Sequence, residues 1–464
     1  MSAAAADRAR VYWALGGLYC LIAAALLAAV PSETFVRHAA DAGSWINPAY
    51  GLASGLGFVD PAAPETPLTE RPPGYPAFVA AAMTLADDGY PALVVAVQLA
   101  ILLATAALIA RWAEEEGAGL GPLAFGLAAF NPNSFGAAFY VQSETLFALT
   151  TALAAYLLIR FARHPGLSLG AGLGAALGAA ALIRPEGQVL LAAAVLGAPV
   201  LALAARGRTP WRRLGAGLLV CLAVGGATTA PWMARNAALG EGWRMTGQGN
   251  TTYYLWGAAT QLEMIAEGVG GAEAEARMQA AQRRTAEAYE GDWAVLSEAE
   301  RQVVLRDAAL EKILDYPVGV ILRNVTMATL QFLGGGGAGR LFILAGEPQA
   351  APFAFMQRTE ESDYLDAVTG ALQEADAFLI LIWVAALSYV AATRILGLVG
   401  IYRMVRAGRW DLLLLLSGAI LFFALIFPFY GLSRFRLPVE FAFVLLAAFG
   451  ALGGRCGSAR SAQA

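Results

Sequence analysis

Charge is what this chain has least of. Only 14% of its 464 residues are charged, against roughly 25% in a soluble domain, while 58% are hydrophobic and the mean hydropathy is +0.58. A water-soluble protein is excluded, and the chain reads as an integral membrane protein. Lysine is nearly absent: Lys312 is the single lysine among 31 cationic residues. Schiff-base and Walker-type lysine chemistry therefore have no candidate, and almost every positive charge is a permanently ionised arginine with a bidentate fork. Cys20, Cys221 and Cys456 are scattered and form no CxxC pair, which rules out a disulfide framework or structural zinc site. His38 and His164 are the only histidines, so no multi-histidine metal centre can be built. A formal net charge of -4 provides no global basic surface, which argues against a nucleic-acid partner.

What is abundant is long apolar sequence. A hydrocarbon core of about 30 Å takes about 20 residues of helix, and about ten runs qualify, near 11-30, 91-110, 119-138, 145-160, 169-183, 187-205, 214-232, 376-396, 411-430 and 437-453. This predicts an all-α polytopic protein. The first run is long and lacks a clear cleavage site, so it is expected to stay as a span. With these crossings, Arg8 and Arg10, Arg111, Arg160 and Arg163, Arg206 to Arg213, Arg403 to Arg409, and Arg455 with Arg460 all fall on one side, which the positive-inside rule makes cytoplasmic. The opposite side receives two long, acid-rich segments, about 31-90 and 233-375. The chain thus divides into an N-terminal membrane module of about seven spans (1-232), an extracytoplasmic segment (233-375) and about three C-terminal spans (376-464). Residues 317-333 carry Arg323 and Asn324 at mid-length and are expected to lie in the interface or line a cavity. The 260-312 stretch reads as a small helical module, with the glycines at 334-337 as a flexible joint after it. The alanine-, glycine- and arginine-heavy composition suggests a GC-rich bacterium, hence its inner membrane.

Polar residues gathered on the outer face mark function by default. After the first span, DAGSWINPAYGLASGLGF (41-58) places Asp41 one turn from Trp45, ahead of a turn at Gly55 and Gly57. TERPPGYP (69-76) follows, with Glu70, Arg71 and Tyr75; its double proline suits the start of a helix, where orphan N–H groups favour an anion. Ser143 or Glu144, in YVQSE, either caps the fourth span or serves the site. IRPEG (183-187) carries Arg184 and Glu186, APWMARN (230-236) carries Arg235, and SRFRLP (433-438) carries Arg434 and Arg436. Outward arginines oppose the topology rule, and a bound anion would compensate them; pairing with acidic loop residues is the alternative.

In this order, D-x3-W, GxGF, RPPGYP, Y-x-x-SE, RPEG, PWxxRN and RxRLP, each at an outer helix end, the sequence resembles the GT-C glycosyltransferases. That superfamily uses polyprenyl-phosphate-linked sugars and includes the protein O-mannosyltransferases and lipid A aminoarabinose transferases. The resemblance covers about residues 10-260 and 430-450. Two positions depart from the pattern: Trp45 stands where tyrosine is commoner, and Glu144 lacks an adjacent aspartate.

The resemblance implies a GT-C-like fold and inverting transfer of a sugar from a polyprenyl-phosphate donor to an acceptor hydroxyl at the outer face. The acceptor would be a glycan, lipid or protein. Asp41 would be the general base and Glu144 a second catalytic residue. Arg71, Arg184, Arg235, Arg434 and Arg436 form the pool that binds the lipid phosphate, with Trp45, Tyr75 and Glu70 toward the substrate. No cofactor and no divalent metal are expected. The competing reading is a transporter or lipid flippase for an anionic or glycolipid substrate, which usually shows repeated halves and midplane charges; neither is seen. The 233-375 segment is expected to cover the cavity mouth and shape the acceptor side, while the donor lipid enters laterally from the outer leaflet.

Overall fold

In the computed structural model, residues 3–37, 41–205, 210–346 and 376–453 are described. Arg206, Arg208, Arg455, Arg460, Cys456, His38 and the 347–375 end of the second long loop lie outside them. Apolar runs in lipid must satisfy their backbone groups internally, and helix dominates accordingly. Among the described residues, seven helical stretches are long and apolar enough to cross a membrane: Asp7–Ala29, Gly74–Glu116, Glu144–Arg163, Glu186–Ala204, Trp211–Ala238, Ala377–Ala407 and Ser433–Leu452. Three shorter apolar helices, Leu167–Ile183, Val318–Gly334 and Trp410–Ile426, accompany them.

In chain order, α1 is Ala3–Ala29, α2 Thr34–Arg37, α3 Ala42–Ala53 and α4 Gly74–Ala86, which leads through a 3₁₀ turn at Asp87–Gly89 into α5, Tyr90–Glu116. Then come α6 Gly121–Ala129, α7 Pro132–Ala138, α8 Glu144–Arg163, α9 Leu167–Ile183, α10 Glu186–Ala204 and α11 Trp211–Ala238. Outside the spans lie α12 Gln248–Glu267, α13 Gly271–Glu287, α14 Glu298–Asp315, α15 Val318–Gly334 and α16 Ala338–Leu344. The C-terminal helices are α17 Ala377–Ala407, α18 Trp410–Ile426 and, after a 3₁₀ turn at Ser433–Val439, α19 Glu440–Leu452.

Three expectations need correction. The run at 119-138 is not one helix: it breaks between α6 and α7, where the Asn131 side chain accepts the Ser134 N–H and Pro132 opens the new helix. A proline cannot continue the helical ladder but suits a first turn. The first outer loop is not wholly helical either, since β1 (Val59–Asp60) and β2 (Ala63–Pro67) form an antiparallel hairpin. The glycines at 334-337 are a packed turn rather than a flexible joint. Gly337 has φ +74, and a Cβ there would come within 2.5 Å of the Asn133 side chain, while the Gly335 carbonyl accepts from Arg436 at 2.7 Å.

The two ends of α8 define an axis. Its 20 residues span about 30 Å at 1.5 Å per residue, the thickness of a hydrocarbon core. At its C-terminal end Arg163 bonds Glu116 at 2.6 Å and Asp411 at 2.7 Å, Arg409 also pairs with Glu116, and Arg8 approaches Glu114 at 3.7 Å. The arginines assigned to the cytoplasmic side thus meet the acidic end of α5. The N-terminal end of α8, at Glu144, belongs to a second ionic cluster.

Beyond that end, α12, α13 and α14 pack through Trp256, Leu262, Met278, Ala309 and Ile313 as a core separate from the membrane bundle. Ser297 and Glu300 close a reciprocal capping box on α14. Burial works against the Glu263 carboxylate, but hydrogen bonds from Tyr316 and Arg277 and the nearby Lys312 hold its pKa below the usual range. The 260-312 stretch is therefore a small helical module. Helix α15 buries Asn324, Ala328 and Phe332 on one face, at helical spacing, and exposes Leu322 and Leu330 on another.

Candidate active site

Two tight approaches build the outer end of the bundle. A Cβ on Gly74, the first residue of α4, would stand 2.7 Å from the Leu182 carbonyl near the end of α9. The RPPGYP and IRPEG turns are therefore pressed together. Gly187 makes the second turn possible, since a Cβ there would lie 2.2 Å from the Ala181 nitrogen. The turns that carry Arg71 and Arg184 meet because no side chain separates these backbones.

Asp41 stands just before α3 with φ +62, a left-handed conformation that aspartate tolerates better than most residues. Its side chain does not cap α3. Arg434, 393 residues away, donates to its carboxylate at 3.1 Å, and Arg71 approaches the same oxygen at 4.0 Å. The Arg71 Nε donates to the Ser44 hydroxyl at 2.9 Å, that hydroxyl donates to the Asp41 carbonyl, and the guanidinium lies 4.7 Å over the Trp45 ring. Arg71 is thus preorganised by a hydroxyl, an aromatic face and a carboxylate together. The Asp41 side chain is 27% exposed, against 11% for Arg71, so the carboxylate is the accessible member.

Beside it, Glu144 is buried, and Arg184 lies 3.4 Å from its carboxylate and 3.0 Å from that of Glu186. Ser143 precedes α8 without capping it by its side chain; its hydroxyl accepts from Arg184 at 3.2 Å. Burial disfavours the Arg184 charge, yet Glu186 and Glu144 outweigh it and hold the guanidinium above its ordinary pKa. Arg340, on α16, donates to Gln142 at 3.1 Å, and its carbonyl accepts from Tyr140. Burial pulls its pKa down; Glu144 opposes that and the like charge of Arg434 reinforces it. Tyr254 of α12 closes the same region: burial raises its pKa, Glu186 adds to that, and Arg184, Arg71 and Arg434 oppose it.

The cluster sets four guanidinium groups, Arg71, Arg184, Arg340 and Arg434, against three carboxylates, Asp41, Glu144 and Glu186. Buried N and O atoms in native proteins are normally paired. Here the Arg340 Nη1, the Arg434 Nε and one Glu186 oxygen are buried without a partner among the described residues. An arrangement with a surplus cation and unused donors is suited to an anion that brings its own acceptors.

Not every residue singled out in the sequence converges here. Arg436, 1% exposed, gives its donors to Glu440 at 2.6 Å, to the Phe332 carbonyl and to the Gly335 carbonyl. Arg235 donates to the Leu68 carbonyl at 3.0 Å and to that of Phe58, and stacks 4.5 Å over Trp232. Both arginines are satisfied by the protein: Arg436 through the acidic Glu440, Arg235 through carbonyls and aromatic faces rather than an acidic residue. Tyr75 is fully buried, donating to Gln98 at 2.9 Å, and it packs edge-on against Trp45. Trp45 is itself 3% exposed, under Arg71. Glu70 is exposed on the loop. Arg340 was missed, although the rule that singled out the others, an arginine in an outer segment, applies to it.

Removing Arg184 would strand two buried carboxylates, a loss of about 3–5 kcal/mol for a buried pair. We expect Arg184→Ala to lower the thermal midpoint in detergent by several degrees and Arg184→Ala/Glu144→Gln/Glu186→Gln to recover most of it. An unchanged midpoint for the single variant would show that water already solvates the cluster.

The fold and these residues define a polytopic helical membrane protein with an ionic site at one end of its bundle. Residues 70–233 match the family described as dolichyl-phosphate-mannose-protein mannosyltransferase, a segment that contains Arg71, Glu144, Arg184 and Glu186. The matched segment also carries the RPPGYP, Y-x-x-SE and RPEG motifs. Among solved structures, the chain is similar to ArnT from Cupriavidus metallidurans in the apo state, with 17% identity over 94% of this chain and 77% of that one, at a TM-score of 0.36. It is likewise similar to ArnT from the same organism bound to undecaprenyl phosphate, with 16% identity over 97% and 80%, at a TM-score of 0.38. No curated protein sequence matches the chain.

Proposed function

We propose that the protein is an inverting glycosyltransferase that moves a sugar from a polyprenyl-phosphate donor to an acceptor hydroxyl at the outer face of a bacterial inner membrane. The observation that carries this reading is the accessible Asp41 carboxylate held between Arg434 and Arg71, in a chain whose 70–233 segment matches a family named for a polyprenyl-phosphate sugar. The acceptor oxygen attacks the anomeric carbon as the bond to the phosphate oxygen breaks. Asp41 takes the hydroxyl proton, a contribution of order 10²- to 10⁴-fold for a positioned base. The leaving polyprenyl phosphate needs charge neutralisation more than a proton, and preorganised guanidinium groups supply it. On donor binding Arg434 and Arg71 turn from Asp41 to the phosphate, so the base is released when the electrophile arrives. The unused donors on Arg340 and Arg434 complete the phosphate cradle, and Glu144 keeps Arg184 oriented toward it.

The test is donor-dependent transfer by the purified protein in nanodiscs, using a panel of polyprenyl-phosphate-linked sugars and reading the anomeric configuration of the product. Retained configuration would reject the single-displacement mechanism. Translocation of a labelled polyprenyl phosphate across vesicles, without transfer or hydrolysis of any donor, would favour the flippase.

We further propose that transfer needs no divalent metal. Asp41 and Glu144 already have guanidinium partners, and a dication placed between them would face the charges of Arg71, Arg184, Arg340 and Arg434. Activity is expected to stay within about twofold after EDTA treatment, a margin set against the roughly tenfold or greater effects of losing a group that acts in the transition state. Loss on chelation with recovery on adding manganese or magnesium would show that the carboxylates share an ion instead.

A further inference from the structure

Helix α12 has two occupied faces. Tyr254 looks to the arginine cluster, while its neighbour Tyr253 lines a separate cavity of about 480 Å³ between α12, α13, α14 and the loop at Tyr430. That volume lies within the range of small-molecule sites, roughly 300–1,000 Å³. Gly257 gives the cavity its wall: a Cβ there would collide with the Tyr430 hydroxyl, which donates to the Tyr254 carbonyl at 2.9 Å.

The lining has a definite chemistry. Gln261, Gln279, Gln282 and Gln302 present amides, Thr252 and Thr260 hydroxyls, and Tyr253, Trp256 and Tyr430 aromatic surface. Among the described residues that line it, Glu275 is the single charged one, and no arginine or lysine takes part. An anionic headgroup therefore has nothing to pair with. A prenyl chain is equally unsuited to so many amides, which desolvate at a cost unless they are hydrogen-bonded. Amides and hydroxyls both donate and accept, and aromatic rings offer flat amphipathic faces. Together they match a ligand dense in hydroxyls with an apolar C–H face. The amide nitrogens of Gln279 and Gln302 donate to Glu275 at 3.4 Å and Glu298 at 2.7 Å, which leaves their carbonyl oxygens for a ligand's hydroxyls. Tyr253 is 62% exposed, an aromatic held at the lip.

We propose that this cavity is a carbohydrate-binding subsite that takes a neutral sugar unit of the acceptor, across α12 from Tyr254 and the arginine cluster that Tyr254 faces. The assignment to the acceptor rests on the glycosyltransferase reading; the assignment to carbohydrate rests on the lining. A donor lipid approaches from hydrocarbon, whereas this cavity belongs to the module outside the spans. An oligosaccharide of two or more units reaches over α12, placing its terminal hydroxyl at Asp41 and an inner sugar among the glutamines. Specificity for the acceptor then resides in α12–α14.

Saturation-transfer NMR on the full chain in nanodiscs, with maltotriose, mannotriose, chitotriose and a sialylated trisaccharide as probes, tests this directly. At least one neutral trisaccharide should bind, with Tyr253→Ala and Gln282→Leu each weakening it by tenfold or more. Polyprenyl-phosphate affinity and thermal midpoint should be unchanged in both variants, which separates loss of the subsite from loss of fold. No binding by any neutral probe, binding by the acidic probe alone, or binding that both variants leave intact would overturn the proposal. Sugar binding is read without turnover, so failure of the transferase reading would not disturb it. Where transfer is measurable, the variants should raise the acceptor KM tenfold at unchanged kcat; a fall in kcat alone would place the residues elsewhere in the mechanism.

Discussion

Asp41→Asn is expected to lower turnover by two orders of magnitude or more while leaving donor binding and the folded state intact. The amide fills the same volume and still offers Arg434 and Arg71 an oxygen, so the contacts at 3.1 and 4.0 Å keep an acceptor. What is lost is the capacity to take a proton, worth on the order of 10²- to 10⁴-fold. Because the lost interaction exists only in the transition state, kcat and kcat/KM should fall together. Asp41→Ala should be no faster, but its donor affinity should shift, because Arg434 and Arg71 then lack this carboxylate before the phosphate arrives. Single-turnover transfer by purified protein is the decisive measurement. Near-normal turnover by Asp41→Asn would remove the base from Asp41 and leave Glu144 and Glu186 as the remaining carboxylates of the cluster.

Asp41, Arg71 and Arg434 could be singled out in the sequence because topology forces the argument. Outward arginines oppose the positive-inside rule and need a compensating anion, and Asp41 stands in the same outer segments, one turn before Trp45. The same argument could not separate Arg434 from Arg436, two residues apart. Their difference is one of direction: one side chain turns to Asp41 and the other inward to Glu440 and two carbonyls, and apolar patterning carries no such information in a 3₁₀ turn. Arg235 was likewise indistinguishable until the hairpin at 59–67 brought together the flanking carbonyls of Phe58 and Leu68 that it holds. The broken span at Asn131–Pro132 was written in the sequence, since a proline after a good N-cap residue ends one helix and begins another; mean hydropathy over the run concealed it. The glutamine-lined cavity was not legible at all, because Gln261, Gln282 and Gln302 come from three helices whose relative placement only packing decides.

Donor capture should depend most on Arg71 and Arg434 acting together. Each hydrogen bond to a charged group is worth about 1.5–3 kcal/mol, or roughly 10- to 100-fold in affinity at 1.4 kcal/mol per decade. Arg434→Gln or Arg71→Gln alone should weaken polyprenyl-phosphate binding by about tenfold or more on that scale. The double variant should fall short of the product of the two, since residues that share a partner are coupled. Arg71 is the more constrained, tied to Ser44 and stacked on Trp45, so Arg71→Lys should fail to rescue: an ammonium cannot reproduce the planar fork. Arg436→Gln, by contrast, should alter stability with donor affinity per folded molecule preserved, because its donors are spent within the protein. Titration of each variant in nanodiscs with a fluorescent polyprenyl phosphate distinguishes these outcomes. If Arg71→Gln/Arg434→Gln binds the lipid as tightly as the wild type while Arg436→Gln or Arg235→Gln loses it, the phosphate is held at the arginines whose donors the fold engages, and the cradle around Asp41 serves the acceptor instead.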